Sequence, residues 1–183
     1  MTRTRYKIYN DQQPYFLTMT VVEWIPLFAN PENVSVILDS LQFVQKERGV
    51  ILYAYVIMEH HLHLIASAPE LAKTMKEFKS FTARKIIDYF EKRSSTPLLK
   101  ELEKAKLPHK TGSDYQLWQE GNHPQEIFSE QTLVQKIEYI HNNPVRRGYI
   151  DEAKHWRYSS ARSYEGMEGL LEVCTDWRDE RHI

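Results

Sequence analysis

Apolar and β-branched residues concentrate in "PYFLTMTVVEW" near the start of the chain, a pattern that predicts a first strand. Asn30 followed by Pro31 marks a helix start. Val34, Ile37, Leu38, Leu41 and Val44 then form one apolar stripe, and Gly49 ends the helix. "VILYAYVIM" reads as a buried second strand, and "HLHLIASA" follows closely enough to be its hairpin partner. Pro69 and Glu70 open a longer helix whose apolar face uses Leu71, Met75, Phe78, Ile86 and Phe90, with Lys73, Lys76 and Lys79 on another side. "EKRSSTPLLKELEKAKLPHKTGSD" has no strong periodicity and predicts a loop with one short helix. "YQLWQEGNHPQEIF" holds strand-like pieces broken by Gly121 and Pro124. Ser129 caps a last helix, "EQTLVQKIEYIHNN", with a stripe of Leu133, Val134, Ile137, Ile140 and His141. Pro144 forces its end. From there the chain is irregular, with aromatic and basic residues interleaved.

The resulting order, β-α-β-β-α-β-α, predicts an α+β fold. Its core is a ferredoxin-like βαββαβ antiparallel sheet with helices on one face. A C-terminal helix and an irregular tail follow. One domain over 1–183 is expected, with a core over about 10–145 and an extension over about 146–183. Many unrelated functions use this fold, so it decides none of them.

One strand departs from an apolar pattern. Within "MEHHLHLIA", alternation puts His61, His63 and Ile65 on one face, and Leu62, Leu64 and Ala66 on the other. His60 should point away from His61 and His63. Two imidazoles side by side on a sheet face suit a metal better than an apolar core, where each ring nitrogen needs a partner. On the last helix Asn143 lies four residues after Tyr139, so both share a face, one turn apart. If that face meets the histidine face over the sheet, two imidazoles and an amide oxygen surround one divalent cation, with a phenol beside it. Nitrogen and oxygen ligands with open positions suit magnesium or manganese, and do not by themselves reject zinc. A phenol activated there can attack a phosphodiester, leaving a tyrosyl phosphate and a free hydroxyl, with no nucleotide cofactor.

Composition narrows the classes. The single cysteine, Cys174, excludes an internal disulfide and a cysteine-rich zinc site. No apolar run reaches membrane-helix length, and "MTRTRYK" lacks the apolar segment of a signal peptide, so a cytoplasmic protein is expected. The net charge of −1 disguises an uneven distribution. Between Lys73 and Arg93 seven basic residues oppose three acidic ones, whereas from Tyr164 onward six acids oppose two arginines. With 144–163, where five basic residues oppose two acidic ones, this makes two basic segments masked by an acidic tail.

Five stretches, "YVIMEHHLHLIAS", "FKSFTARKI", "LWQEGNHPQEI", "IEYIHNNPVRRGYI" and "HWRYSSARSY", occur in the order found in REP-associated tyrosine transposases. The chain resembles that family, a group of single-tyrosine HUH transposases, over roughly Tyr15 to Tyr164. The resemblance implies that His61 and His63 bind the metal, that Tyr139 forms a 5′-phosphotyrosine link, and that Asn143 is a third metal ligand. It places Lys79 in an element that contacts DNA, and "WRYSSA" near the DNA-recognition region. One departure stands out. The family's usual proline and asparagine before the first motif histidine are here Glu59 and His60, which puts an extra polar group near the metal.

The expected activity is therefore metal-dependent nicking and rejoining of single-stranded DNA at hairpins. Lys73, Lys76, Lys79, Arg84, Arg146 and Arg147 are the expected backbone contacts. Two rivals share the same residues: a hairpin-binding module that no longer cuts, and a phosphodiesterase that uses water. A monomer is favoured over a homodimer, because the long tail can block a dimer surface.

Overall fold

The computed structural model describes residue 8 and residues 13–177. The basic start of the chain and the last six residues of the acidic tail lie outside the described residues. Four strands, β1 (Tyr15–Thr20), β2 (Ile51–Met58), β3 (His61–Ser67) and β4 (Gln125–Glu126), form one antiparallel sheet in the order β2-β3-β1-β4. That is the order a βαββαβ chain gives when both its helical crossovers lie on one face. Helices α1 (Pro31–Arg48) and α2 (Leu71–Lys92) cover that face. Leu17, Met19, Leu62, Leu64 and Ala66 point into the core they form with Ile37, Leu41, Met75, Phe78 and Ile86.

Local chemistry explains the element ends. The Asn30 side chain accepts from the Glu32 N–H at 3.0 Å, Pro31 opens α1, and Gly49 closes it at φ +63°. At the start of helix α4 (Glu130–His141), Ser129 Oγ accepts from the Thr132 N–H. The expected short helix is α3 (Thr96–Lys104). The stretch expected to carry strands yields only the two-residue β4 and an isolated bridge between Val21 and Trp118.

Helix α4 packs on the opposite face of the sheet. Leu133, Ile137 and Ile140 bury against Phe16, Ala54, Val56, Met58 and Ile65. The helix ends at His141, before the proline expected to stop it. Asn142 caps it with its N–H still on Glu138 O, and Pro144, which has no N–H to give Ile140 O, sits in the first turn of a separate short helix, α5 (Asn143–Arg146).

The irregular tail is tightly bound despite having little secondary structure. Backbone hydrogen bonds run from Ile57 N–H to Tyr158 O, from Ser160 N–H to Tyr55 O and from Cys174 N–H to Leu52 O, at 2.8 to 3.0 Å. They follow the outer edge of β2. Trp156 Nε1 donates to Ile57 O, and the Tyr164 hydroxyl donates to Tyr53 O. Between these lies helix α6 (Ala161–Tyr164). The buried Ser160 hydroxyl accepts from the Tyr55 N–H at 2.9 Å and lies 2.8 Å from His141 Nε2, so one oxygen ties the tail, β2 and α4 together.

Ser160→Ala should leave a buried N–H and a buried ring nitrogen unpaired. A loss of about 2 kcal/mol in unfolding free energy is expected, read as a lower urea midpoint. Burial also holds His141 down to about 4 from an ordinary 6.5, so the fold favours the neutral ring. The unfolded chain takes up the proton first as pH falls. Stability from this group is therefore full above pH 6.5 and is lost as pH falls toward 4, at about 1.4 kcal/mol per pH unit. Urea titrations between pH 7 and 4 should show a slope shallower by one proton in His141→Gln.

Candidate active site

Strand β3 is paired on both sides, which fixes where its histidines point. His61 lies opposite Thr20 of β1 and Met58 of β2; His63 lies opposite Thr18 and Val56. Both rings are buried on the α4 face, at 4% and 5% exposure, with centroids 4.8 Å apart. Phe16 stacks on His63 at 5.2 Å. Tyr139 of α4 meets His63 edge to face at 5.4 Å and keeps 38% of its surface exposed. Of the helix residues expected to meet the β3 histidines, Tyr139 does so, whereas Asn143 lies beyond the end of α4.

Neither histidine carries a proton charge at neutral pH. Burial, then the charges of His60 and Arg147, push His61 down to about 4. Burial, then His61, Lys136 and Arg147, push His63 down to about 3. Each ring therefore offers a lone pair. Thr18 Oγ1 lies 2.9 Å from His63 Nδ1, so an Nδ1–H donated to the hydroxyl leaves Nε2 as the electron donor. These features fit a divalent cation. Among the described residues no three His, Cys, Asp or Glu side chains form a ligand cluster, so two imidazoles need oxygen donors of another kind.

His60 is not turned away, as strand alternation suggested. It lies in the two-residue turn Glu59–His60, where the alternation does not apply. Its ring is 4.7 Å from that of His61, with the two Nδ1 atoms 2.9 Å apart. Behind it, Glu59 Oε1 accepts from Arg147 Nη1 at 3.0 Å and from the Tyr149 hydroxyl at 2.9 Å. Burial works to raise the Glu59 carboxyl, but hydrogen bonds and the charges of His60 and Arg147 outweigh it and hold the group below the usual carboxylate range. His60 Nε2 lies between Glu59 Oε1 at 3.1 Å and Arg147 Nη1 at 3.2 Å. A His61 that gives its Nε2 lone pair to a cation must keep its proton on Nδ1. His60 Nδ1 then accepts that proton's hydrogen bond, and His60 Nε2–H donates to Glu59. The departure at these two positions thus builds a hydrogen-bonded support behind the first histidine.

The other expected site residues divide into two groups. Arg146 lies 5.6 Å over the Tyr139 ring, and Arg147 is held at Glu59. Lys73 pairs with Glu70, while Lys76, Lys79 and Arg84 line a groove of about 980 Å³ between α2 and the segment 110–122. That groove is on the α2 side of the sheet, not with the histidines. Lys79 is also bound internally. Its ammonium donates to Gln119 O and Gly121 O, both at 2.8 Å, and burial lowers it to about 8. Asn143 is buried at the start of α5; none of the described hydrogen bonds or ring contacts joins it to either histidine.

Sequence reasoning overlooked Thr18, Phe16, Lys136 and Trp24. Thr18 and Thr20 alternate with Leu17 and Met19, so a polar pair facing the histidines was visible once the pairing was known. Lys136 donates to Gln125 and lies 4.5 Å over the Phe16 ring, a contact between β4, β1 and α4 that no single segment announces.

No protein-family model matches the chain. A curated protein of Haemophilus influenzae named as a REP-associated tyrosine transposase is 27% identical over 107 residues, covering 58% of this chain and 56% of its own. The chain therefore spans about half the length of that relative. The structure of a REP-associated tyrosine transposase bound to a REP hairpin superposes with a TM-score of 0.66 at 15% identity, over 96% of this chain and 93% of the other. A crystal structure of a Deinococcus radiodurans protein described as a transposase aligns at TM-score 0.43 with 25% identity, covering 78% and 97%. The resemblance read from five sequence stretches holds: the chain is similar in sequence to a REP-associated tyrosine transposase, and it has the fold of one.

Proposed function

We propose that this protein nicks and rejoins single-stranded DNA beside a hairpin, with Tyr139 as nucleophile. The observation that carries the reading is the contact between Tyr139 and His63, which sets a half-exposed phenol at the edge of two buried, neutral imidazoles. A binding module needs no such pairing. Likeness to a transposase in sequence, and in fold to one bound to a REP hairpin, supports the DNA substrate.

In this reading His61 and His63 would hold a divalent cation, magnesium or manganese, and the amide oxygen of Asn143 would be its third ligand. A cation held there would supply Lewis-acid polarisation of the scissile phosphate and offset charge developing on it. The Tyr139 phenolic oxygen attacks phosphorus and gives up its proton. The P–O bond to the 3′ oxygen breaks, and that oxygen takes a proton to become a 3′-hydroxyl. The 5′ phosphate stays on Tyr139, which conserves a bond for rejoining when a 3′-hydroxyl attacks in return. Arg146, over the Tyr139 ring, puts positive charge beside the attacking phenol. Arg147, Lys76 and Arg84 extend backbone contact, with Lys73 at the exposed start of α2. Lys79 holds the 119–121 carbonyls that shape the groove instead of reaching outward.

Tyr139→Phe should bind labelled hairpin oligonucleotides as tightly as the parent and form no adduct that survives denaturation. The parent should form one only with manganese or magnesium. Cleavage without an adduct, surviving in Tyr139→Phe, would mean a water-using phosphodiesterase. Binding without cleavage across a broad hairpin pool would mean a module that only binds. Glu59→Gln removes the carboxylate behind His60 and should weaken manganese binding about tenfold by calorimetry, with unchanged affinity for DNA in chelator.

A further inference from the structure

Of the four tryptophans only Trp24 is exposed, at 56%; Trp118 and Trp177 are buried, and Trp156 is anchored by its Nε1–H to Ile57 O. Its backbone is also unusual. Glu23 and Trp24 both have positive φ, at +50° and +55°, a region that costs energy for any residue with a Cβ and that neither can enter without support.

That support comes from the site. Val21 N–H donates to His60 O at 2.9 Å, and Phe28 N–H donates to Glu59 O at 2.8 Å, so the segment is tied at both ends to the turn that precedes His61. Val22 N–H donates to Leu117 O, and Trp24 N–H closes back onto Val21 O. The indole meets His60 at 4.9 Å and His61 at 6.3 Å, both near perpendicular. With His61 to His63 at 4.8 Å and His63 to Tyr139 at 5.4 Å, four rings form a row. Tyr139 is at one end and an exposed indole at the other.

We propose that Trp24 is a stacking platform for an unpaired base of the DNA strand whose phosphate lies over His61 and His63. The inference rests on the function proposed above and adds a specific contact to it. A strained turn that leaves more than half of a large apolar side chain in solvent gains only part of what burying it would give. It gains more if a flat, apolar partner covers the ring. An unpaired base is such a partner, and base–aromatic stacking tolerates any sequence because every base has a π face. The length of the row limits the position. Trp24 takes a base close to the attacked phosphate, within the span of the three ring-to-ring steps that separate it from Tyr139. Arg147, held beside His60, supplies charge for the intervening backbone.

The test uses the full chain, as parent, Trp24→Ala and Trp24→Phe, with two fluorescent strands read by anisotropy in manganese. One is fifteen thymidines and the other is fifteen abasic units with the same phosphates. Trp24→Ala should lose about tenfold affinity for the thymidine strand, Trp24→Phe less than threefold, and neither should change on the abasic strand. In the parent, the thymidine strand should shield tryptophan fluorescence from acrylamide and the abasic strand should not, a reading that needs no variant. Equal loss on both strands, no loss on either, or no shielding would overturn the proposal. The two proposals fail separately. An adduct at Tyr139 with no base dependence at Trp24 leaves the nicking and removes the platform; base-dependent binding with no adduct in any hairpin leaves the platform on a protein that does not cut.

Discussion

The double pairing of β3 is the constraint on which the site depends. Held between β1 and β2, this strand cannot rotate, so Leu62, Leu64 and Ala66 enter the core under α1 and α2 while His61 and His63 face α4. The apolar half of the strand gains from burial and keeps the polar half in place. Polar residues are admitted on that face only where partners meet them: Thr18 at His63, and His60 at His61. A pair of imidazoles at the sheet surface is in this way a product of packing on the opposite side.

Burial has a second consequence at the same place. It removes water from both histidines and keeps them neutral, which destabilises the fold in acid and leaves lone pairs free at neutral pH. The same burial that makes the rings poor bases suits them to a cation, since no proton needs to be displaced. Glu59 and Arg147 hold His60 between them, and the Arg147 charge also reaches past it to disfavour a proton on His61 and His63.

Much of this was legible in the sequence. Helical and strand periodicities located α1, β2, β3, α2 and α4, with caps at Asn30 and Ser129 correct to the residue. Alternation in β3 assigned the histidine face, and the helical stripe of α4 left Tyr139 where it meets His63; the four-residue step that paired Asn143 with it assumed a continuous helix, whereas Asn143 opens the separate α5. Period arguments stop where an element stops. His60 was misplaced because it belongs to a turn, and α4 ends two residues before the expected Asn143, at His141, with Pro144 in the short helix that follows. Lys79 sits on a basic helix side yet is consumed by two carbonyls from a loop forty residues away. Trp24 gave no signal, since a positive φ at a non-glycine residue has no signature in composition.

The tail along β2 bears on how sheets meet. An open strand edge exposes a row of unpaired N–H and C=O groups, a template on which another chain can align and aggregate. Here residues 158–174 occupy that row on β2, and the opposite margin, β4, offers only two residues. Among the described residues, then, neither border of the sheet is long enough to seed growth by strand addition. Self-association would have to use helix surfaces, where Phe43 of α1 and Phe81 of α2 stand exposed beside a groove shared by those two helices.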